Sequence, residues 1–267
     1  MNEFYLVLAG LGVGAVIGLT GVGGGSLMTP ILIGVFHVPP HIAVGTDLLF
    51  AGVTKSVGSI SLARHRITPW REVGWLSLGS LPAAGATLLV IAHLGPASEG
   101  MAKAITTLLG LALVMTALAA LFKLRSELSI CGVAVTQSRE SPCVVQQRSP
   151  NRCRAMAFGA VIGVLVCVTS VGAGAIGVSA IALLFPYLSA RRVVAADLAY
   201  AVPLTLLAGA GHASMSSVHG SLLAWLLLGS LPGITLGNKA LAWLPAHWAK
   251  AALSLVLLGV GTAMVAR

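Results

Sequence analysis

The sequence predicts an all-α, polytopic membrane protein of about 8–10 transmembrane or re-entrant helical segments, and three observations carry that prediction. Of 267 residues, 57% are hydrophobic and only 9% charged, where a soluble domain carries about a quarter charged residues. Mean hydropathy is +0.96, so the chain lacks the polar surface to cover itself in water. The apolar residues fall in long runs that do not alternate with polar ones, which favours helices over a membrane barrel.

In chain order the runs are Phe4–Leu19, Leu27–Val38, Ile42–Leu62, Val73–Ala92 and Met101–Phe122, then Ala155–Ser170, Ile176–Leu188, Val193–Ala213, Leu222–Leu241 and Trp248–Ala266. A spanning helix needs roughly 20 residues. The second run of each set is too short to cross comfortably, and each follows a glycine-rich break; periodicity does not separate a thin span from a re-entrant hairpin. The start, MNEFYLV, has no basic n-region, so a cleaved signal peptide is not expected.

The two sets read as copies. LGSLP stands at Leu78–Pro82 and again at Leu228–Pro232, offset 150. TDL at Thr46–Leu48 aligns with ADL at Ala196–Leu198 at the same offset, and VGGG at Val22–Gly25 with VGAG at Val171–Gly174 at offset 149. GAVIG at Gly14–Gly18 recurs at Gly159–Gly163, offset 145, which predicts four or five extra residues before the second glycine break. Ordered matches of this kind signal internal duplication. The expected organisation is a first repeat over 1–122, a cytoplasmic linker over 123–154 and a second repeat over 155–267.

Five segments per copy is an odd number, so the second copy is expected upside down relative to the first. With both termini outside, the inner loops hold Arg64, Arg66, Arg71, Lys123, Arg125, Arg139, Arg148, Arg152, Arg154, Arg191, Arg192, Lys239 and Lys250, which is 13 of the 16 basic residues. That is the positive-inside bias of a cell inner membrane protein. It accounts for the net charge of +9 without a nucleic-acid partner.

Inverted repeats with paired interruptions are a transporter design, with substrate held near the midplane where unwound backbone from both copies meets. The stretch GVGGGSLMTP, Gly21–Pro30, is such an interruption. Glycine lets the chain turn with positive φ and approach a ligand closely, and a helix N-terminus supplies donors and partial positive charge for an anion. Gly21, Gly23, Gly24, Gly25 and Ser26 are therefore candidate site residues, mirrored by Gly172 and Gly174. Gly10, Gly14 and Gly18, at spacing four, read instead as a helix-packing stripe.

Ionisable residues inside the runs are few, and each costs about 2.5–3.5 kcal/mol at a bilayer centre. Asp47 and its counterpart Asp197 either line the site, cap their helices or bond to a neighbouring helix. Lys55 aligns with Thr205 and has no charged counterpart; it either binds the anion or is neutralised by Asp47 or Asp197. His212 is a candidate proton relay. Cys131, Cys143 and Cys153 lack zinc spacing, and no triad, metal cluster or nucleotide motif is apparent, so neither a cofactor nor enzymatic chemistry is expected. The alternative is a membrane assembly factor or enzyme acting through the cysteine-containing loop.

The segments GLTGVGGGSLMTPILI, HIAVGTDLLFAGVTKSVG, ITPWREV with LGSLPAA, and in the second half VGAGAIGV, AVPLTLLAG and LGSLPGI together resemble the sulfite exporter TauE/SafE family of membrane transporters. The resemblance covers nearly the whole chain outside Lys123–Arg154. It implies an inner-membrane carrier of small sulfur-containing anions such as sulfite or sulfonates, linked to the proton gradient. Pro69 before Trp70, and Ala195-Ala196 before Asp197, depart from the Asp-Trp and Gly-Thr pairs usual there.

Overall fold

A computed structural model describes residues 3–20, 25–64, 68–95, 100, 103, 105–118, 152–171, 174–240, 258–259 and 262. Among them every regular element is a helix: α1 Glu3–Thr20, α2 Gly25–Gly34, α3 Pro40–Arg64, α4 Trp70–Leu94, α5 Ile105–Leu118, α6 Arg152–Thr169, α7 Ala175–Leu184, α8 Ala190–Ser214 and α9 Gly220–Ala240. Trp70–Leu94, Arg152–Thr169 and Arg192–Ser214 are each long and apolar enough to cross a bilayer. The polytopic all-α expectation holds. Gly21, Gly23, Gly24, Gly172 and most of the 123–154 linker lie outside the described residues, as does nearly all of Trp248–Ala266.

The bundle is apolar on the outside. Leu78, Leu89, Leu183 and Leu228 are exposed, as suits side chains whose solvent is lipid, whereas Thr29, Asp47, Thr46, Ser80, His212 and Ser230 are buried.

Glycine sets how the helices meet. A Cβ at Gly14 would lie 2.5 Å from the Ser230 carbonyl oxygen, and Cβ atoms at Gly10, Gly229 and Gly233 would overlap the carbonyls of Leu226, Val7 and Leu11. These contacts run in parallel along α1 and α9, with backbone against backbone and no room for a side chain, the small-xxx-small packing of membrane helices. Helices α4 and α6 pack the same way: Gly79 meets the Met156 carbonyl, Gly159 that of Leu76 and Gly163 that of Ser80.

Three of the four contacts of the first pair reappear in the second when residues are shifted by 149 or 150. Gly14 with Ser230 becomes Gly163 with Ser80, Gly10 with Leu226 becomes Gly159 with Leu76, and Gly229 with Val7 becomes Gly79 with Met156. This packing corrects the GAVIG register. Gly14 corresponds to Gly163, not to Gly159, so the true offset of α1 and α6 is 149. Both helices have 18 residues, and the expected four-residue gain before the second break does not exist. The repeated GAVIG matched a glycine spacing of four against itself one helical turn out of step.

Helices α3 and α8, equivalent by the 150 shift, cross in opposite directions. Gly45 packs on Ser217 and His212, Gly52 on Leu206 and Thr205, and Gly209 on Leu49. The centre of the crossing therefore falls beside Thr54 and Lys55 on α3 and Pro203 and Leu204 on α8.

The short helices α2 and α7 have 10 residues each, about 15 Å at 1.5 Å per residue, half a hydrocarbon core of about 30 Å. Phe36–Pro39, just past α2, share a cavity of about 370 Å³ with Glu3 and Leu6 of α1 and with His219, Ser221 and Trp225 at the start of α9. The C-terminal end of α2 is thus level with the beginning of α1, and its first turn sits about halfway down the bundle.

Candidate functional site

The polar interior gathers where α2, α3, α8 and the end of α6 meet. Thr29 on α2 donates its hydroxyl to Asp47 Oδ2 on α3. Asp47 is the eighth residue of α3 (Pro40–Arg64) and fully buried, so it bonds to a neighbouring helix and does not cap its own. Ser170, in the left-handed region at φ 59°, is the other side chain close enough to act on this carboxyl, although its hydroxyl does not complete a hydrogen bond.

Lys55 lies two turns farther along α3, 3% exposed, and interacts electrostatically with Asp197 and with Asp47. Asp197, 3% exposed on α8, interacts in turn with Tyr200 one turn along. One lysine at the α3–α8 crossing thus faces a carboxylate from each half of the chain. The hydroxyls of Thr54 and Thr205, near the same level, are spent on their own helices, bonding the Phe50 carbonyl at 2.9 Å and the Ala201 carbonyl at 2.8 Å.

Four polar atoms in this region are buried and without a hydrogen-bond partner among the described residues: Asp47 Oδ1, Ser170 Oγ, Asp197 Oδ1 and Tyr200 OH. Buried polar groups nearly always find partners in protein or water, so these four atoms are the ones here with hydrogen-bonding capacity left for water or a ligand.

The glycine breaks flank it. Gly25 and Ser26 open α2, and Pro30 inside that helix lacks the N–H that would bond the Ser26 carbonyl. Gly174, buried, precedes α7 with φ 156° and ψ −104°, a conformation that costs an L side chain heavily. Of the predicted residues, Asp47 and Asp197 each interact electrostatically with Lys55; Gly25, Ser26 and Gly174 stand at the starts of the half-length helices. Sequence reasoning missed Thr29, Ser170 and Tyr200. Each carried a faint signal: Thr29 within the GVGGGSLMTP stretch, Ser170 just before the second glycine break, and Tyr200 three residues, hence one turn, after Asp197.

His212 is fully buried, but its Nε2 lies 3.0 Å from the Cys167 carbonyl, which ties it to the end of α6 and away from the lysine.

The two ends of the bundle differ. Shifted by 149 or 150, Glu3, His37, Leu222 and Trp225 around the cavity become Arg152, Tyr187, Glu72 and Trp75. There Tyr187 donates to Glu72 Oε1 at 2.8 Å, and the Arg152 guanidinium lies 5.0 Å from the Trp75 ring centroid. Partial burial, together with the Glu72 bond and charge, pushes Tyr187 up to about 12 from a usual 10.0. A raised value means that folding favours the protonated phenol. Its contribution is complete below pH 10 and is lost as pH climbs through 12. Tyr187→Phe is expected to remove that component of alkaline destabilisation and the matching phenolate absorbance; an unchanged absorbance titration would assign the late component to another tyrosine.

The sulfite exporter TauE/SafE family model matches residues 6–264. The chain belongs to the sulfite exporter TauE/SafE family. Within it, the chain is similar to the probable membrane transporter protein YjnA of Bacillus subtilis (strain 168), 36% identical over 234 residues that make up 87% of this chain and 88% of that protein. It is also similar to the probable membrane transporter protein YunE of the same organism, 40% identical over 73 residues, 27% of this chain and 25% of that one. No solved structure matches. As a TauE/SafE protein it is a multi-pass membrane transporter.

Proposed function

We propose that this TauE/SafE protein is a secondary carrier that moves small, sulfur-containing anions of the sulfite and sulfonate type across the cell inner membrane, coupled to the proton gradient. The observation that carries this reading is the buried cation Lys55, which interacts with two carboxylates, in a region whose hydroxyl and carboxyl oxygens include four with no hydrogen-bond partner among the described residues. An anion there would meet the lysine, the Ser170 and Tyr200 hydroxyls, and the first turn of α2, whose N–H groups and dipole favour negative charge.

The reading takes the chain as two inverted repeats, 1–122 and 155–267, joined by the 123–154 linker, with both termini outside. The exchange of contacts between α1–α9 and α4–α6 supports it, as does the antiparallel crossing of the equivalent helices α3 and α8. The 13 basic residues assigned to inner loops support the orientation. The substrate-binding residues proposed are Gly21, Gly23, Gly24, Gly25, Ser26, Asp47, Lys55, Gly172, Gly174 and Asp197, to which Thr29, Ser170 and Tyr200 are added.

Purified protein in proteoliposomes is expected to move labelled sulfite or methanesulfonate, and more so under an imposed pH gradient. Flux of neither anion would remove the reading. Gly24→Val is expected to abolish flux with the protein still inserted, because a β-branched side chain is poorly suited to the turn and close approach to substrate proposed for that glycine stretch. Wild-type flux from Gly24→Val would move the site elsewhere.

A further inference from the structure

The proposed site has a charge imbalance that constrains how it can work. With Asp47, Asp197 and Lys55 all ionised, the cluster sums to −1 before substrate arrives. Adding a monovalent anion would bring −2 into a buried volume holding one cation, and unneutralised charge away from water is among the costliest things a protein can hold. Occupation by an anion therefore calls for a proton on one of the two carboxyls.

The two carboxyls are not equivalent. Thr29 donates its hydroxyl into Asp47 Oδ2, and a donated hydrogen bond favours the ionised form of the carboxyl that accepts it. Among the described residues no hydroxyl donates to Asp197. Its Oδ1 is buried and unpartnered, and so is the Tyr200 hydroxyl beside it. The residue equivalent to Tyr200 in the first half, at the 150 shift, is Phe50, so the second half alone places a phenol beside its aspartate.

Among the described residues, the other titratable groups on the helices packed around Asp197 stand elsewhere. On α3 the remaining titratable residues are His41, near the start, and Arg64, the last residue. Helix α7 carries none. Those of α4, Arg71, Glu72 and His93, stand in its first and last turns. Those of α6 are Arg152, Cys153 and Arg154 at its start and Cys167, whose Sγ is 3.8 Å from the Ala84 carbonyl. On α8 itself, Arg191 and Arg192 open the helix and His212 closes it.

We propose that Asp197 is the proton carrier of the transport cycle, taking up one proton from the accessible aqueous side for each monovalent anion bound beside Lys55, with Tyr200 donating its hydroxyl to that anion. This rests on the carrier reading above. The proton adds to Asp197 Oδ1 as the anion enters, so the occupied cluster keeps a formal charge of −1; both leave together on the other side, and no bond in the anion is made or broken.

Methanesulfonate is the probe, because it stays anionic throughout the accessible pH range and brings no proton of its own. In weakly buffered detergent solution the full-length protein is expected to take up about one proton per methanesulfonate bound. Asp197→Asn is expected to show no proton uptake on addition of the anion and, in proteoliposomes, to lose accumulation driven by a pH gradient. Tyr200→Phe is expected to weaken binding roughly tenfold, the loss of one hydrogen bond to a charged group, with the proton count unchanged. Infrared difference spectra give a reading that does not depend on the asparagine variant folding: the anion-induced band of a protonated carboxyl is expected in the wild type and shifted in Asp197→Glu. Binding without proton uptake in the wild type, or a carboxyl band unmoved by Asp197→Glu, would overturn the proposal while leaving the carrier intact. If the wild type binds neither methanesulfonate nor sulfite, it is the carrier reading that fails.

Discussion

Lys55→Met is expected to abolish anion flux and to unfold at markedly lower temperature in detergent. Removing the cation leaves Asp47 and Asp197, both buried, without the positive charge that each interacts with. Breaking a buried charge cluster by deleting one partner typically costs about 3–5 kcal/mol. The double variants Lys55→Met with Asp197→Asn and Lys55→Met with Asp47→Asn are expected to recover much of that stability, since each removes a stranded carboxylate, but neither is expected to recover flux. Lys55→Arg keeps the charge and is expected to retain reduced transport with altered affinity. Thermal unfolding followed by size-exclusion chromatography checks the stability arm as a double-mutant cycle. A lysine variant as stable as the wild type would show that the carboxyls do not depend on it.

Gly79→Val is expected to be the most damaging single substitution among the packing glycines. Its side chain would be driven into the Met156 carbonyl at the parallel α4–α6 contact, and backbone cannot swing aside as a flexible side chain can. Overpacking of a close contact costs about 1–3 kcal/mol and sometimes more. Here the helices must separate along the whole seam, so loss of folded protein from the membrane is the expected readout. Gly74 and Gly85 on the same helix have open space around them; Gly74→Ala and Gly85→Ala are expected to accumulate normally. Equal yields from Gly79→Val and Gly85→Ala would mean that the seam yields.

Much of this was legible in the sequence because the information is chemical and local. Long apolar runs specify membrane helices, and the few charges inside them, Asp47, Lys55 and Asp197, identify their own importance by the cost of placing them there. The proposed duplication rests on LGSLP and the TDL and ADL pair, whose offset of 150 is the one the packing follows. The misreading of GAVIG has a physical origin: Gly10, Gly14 and Gly18 repeat at one helical turn, so a pattern match cannot tell one turn from the next, whereas a carbonyl lodged against Gly163 can. Thr29, Ser170 and Tyr200 were not singled out because a lone hydroxyl in an apolar run is ordinary. What distinguishes them is which neighbour they meet, and that is set by the antiparallel crossing of α3 and α8, a property of three dimensions only.

The position of Lys55 close to the centre of that crossing also bears on how such a chain can arise. If the first half paired with a second copy of itself, two lysines would meet at the crossing and repel each other. If the second half did so, Thr205 would replace both, and two copies of Asp197 would face each other without a cation. On the proposed two-repeat reading, neither half is therefore a good partner for a second copy of itself, and the lysine-to-threonine difference ties each half to the other.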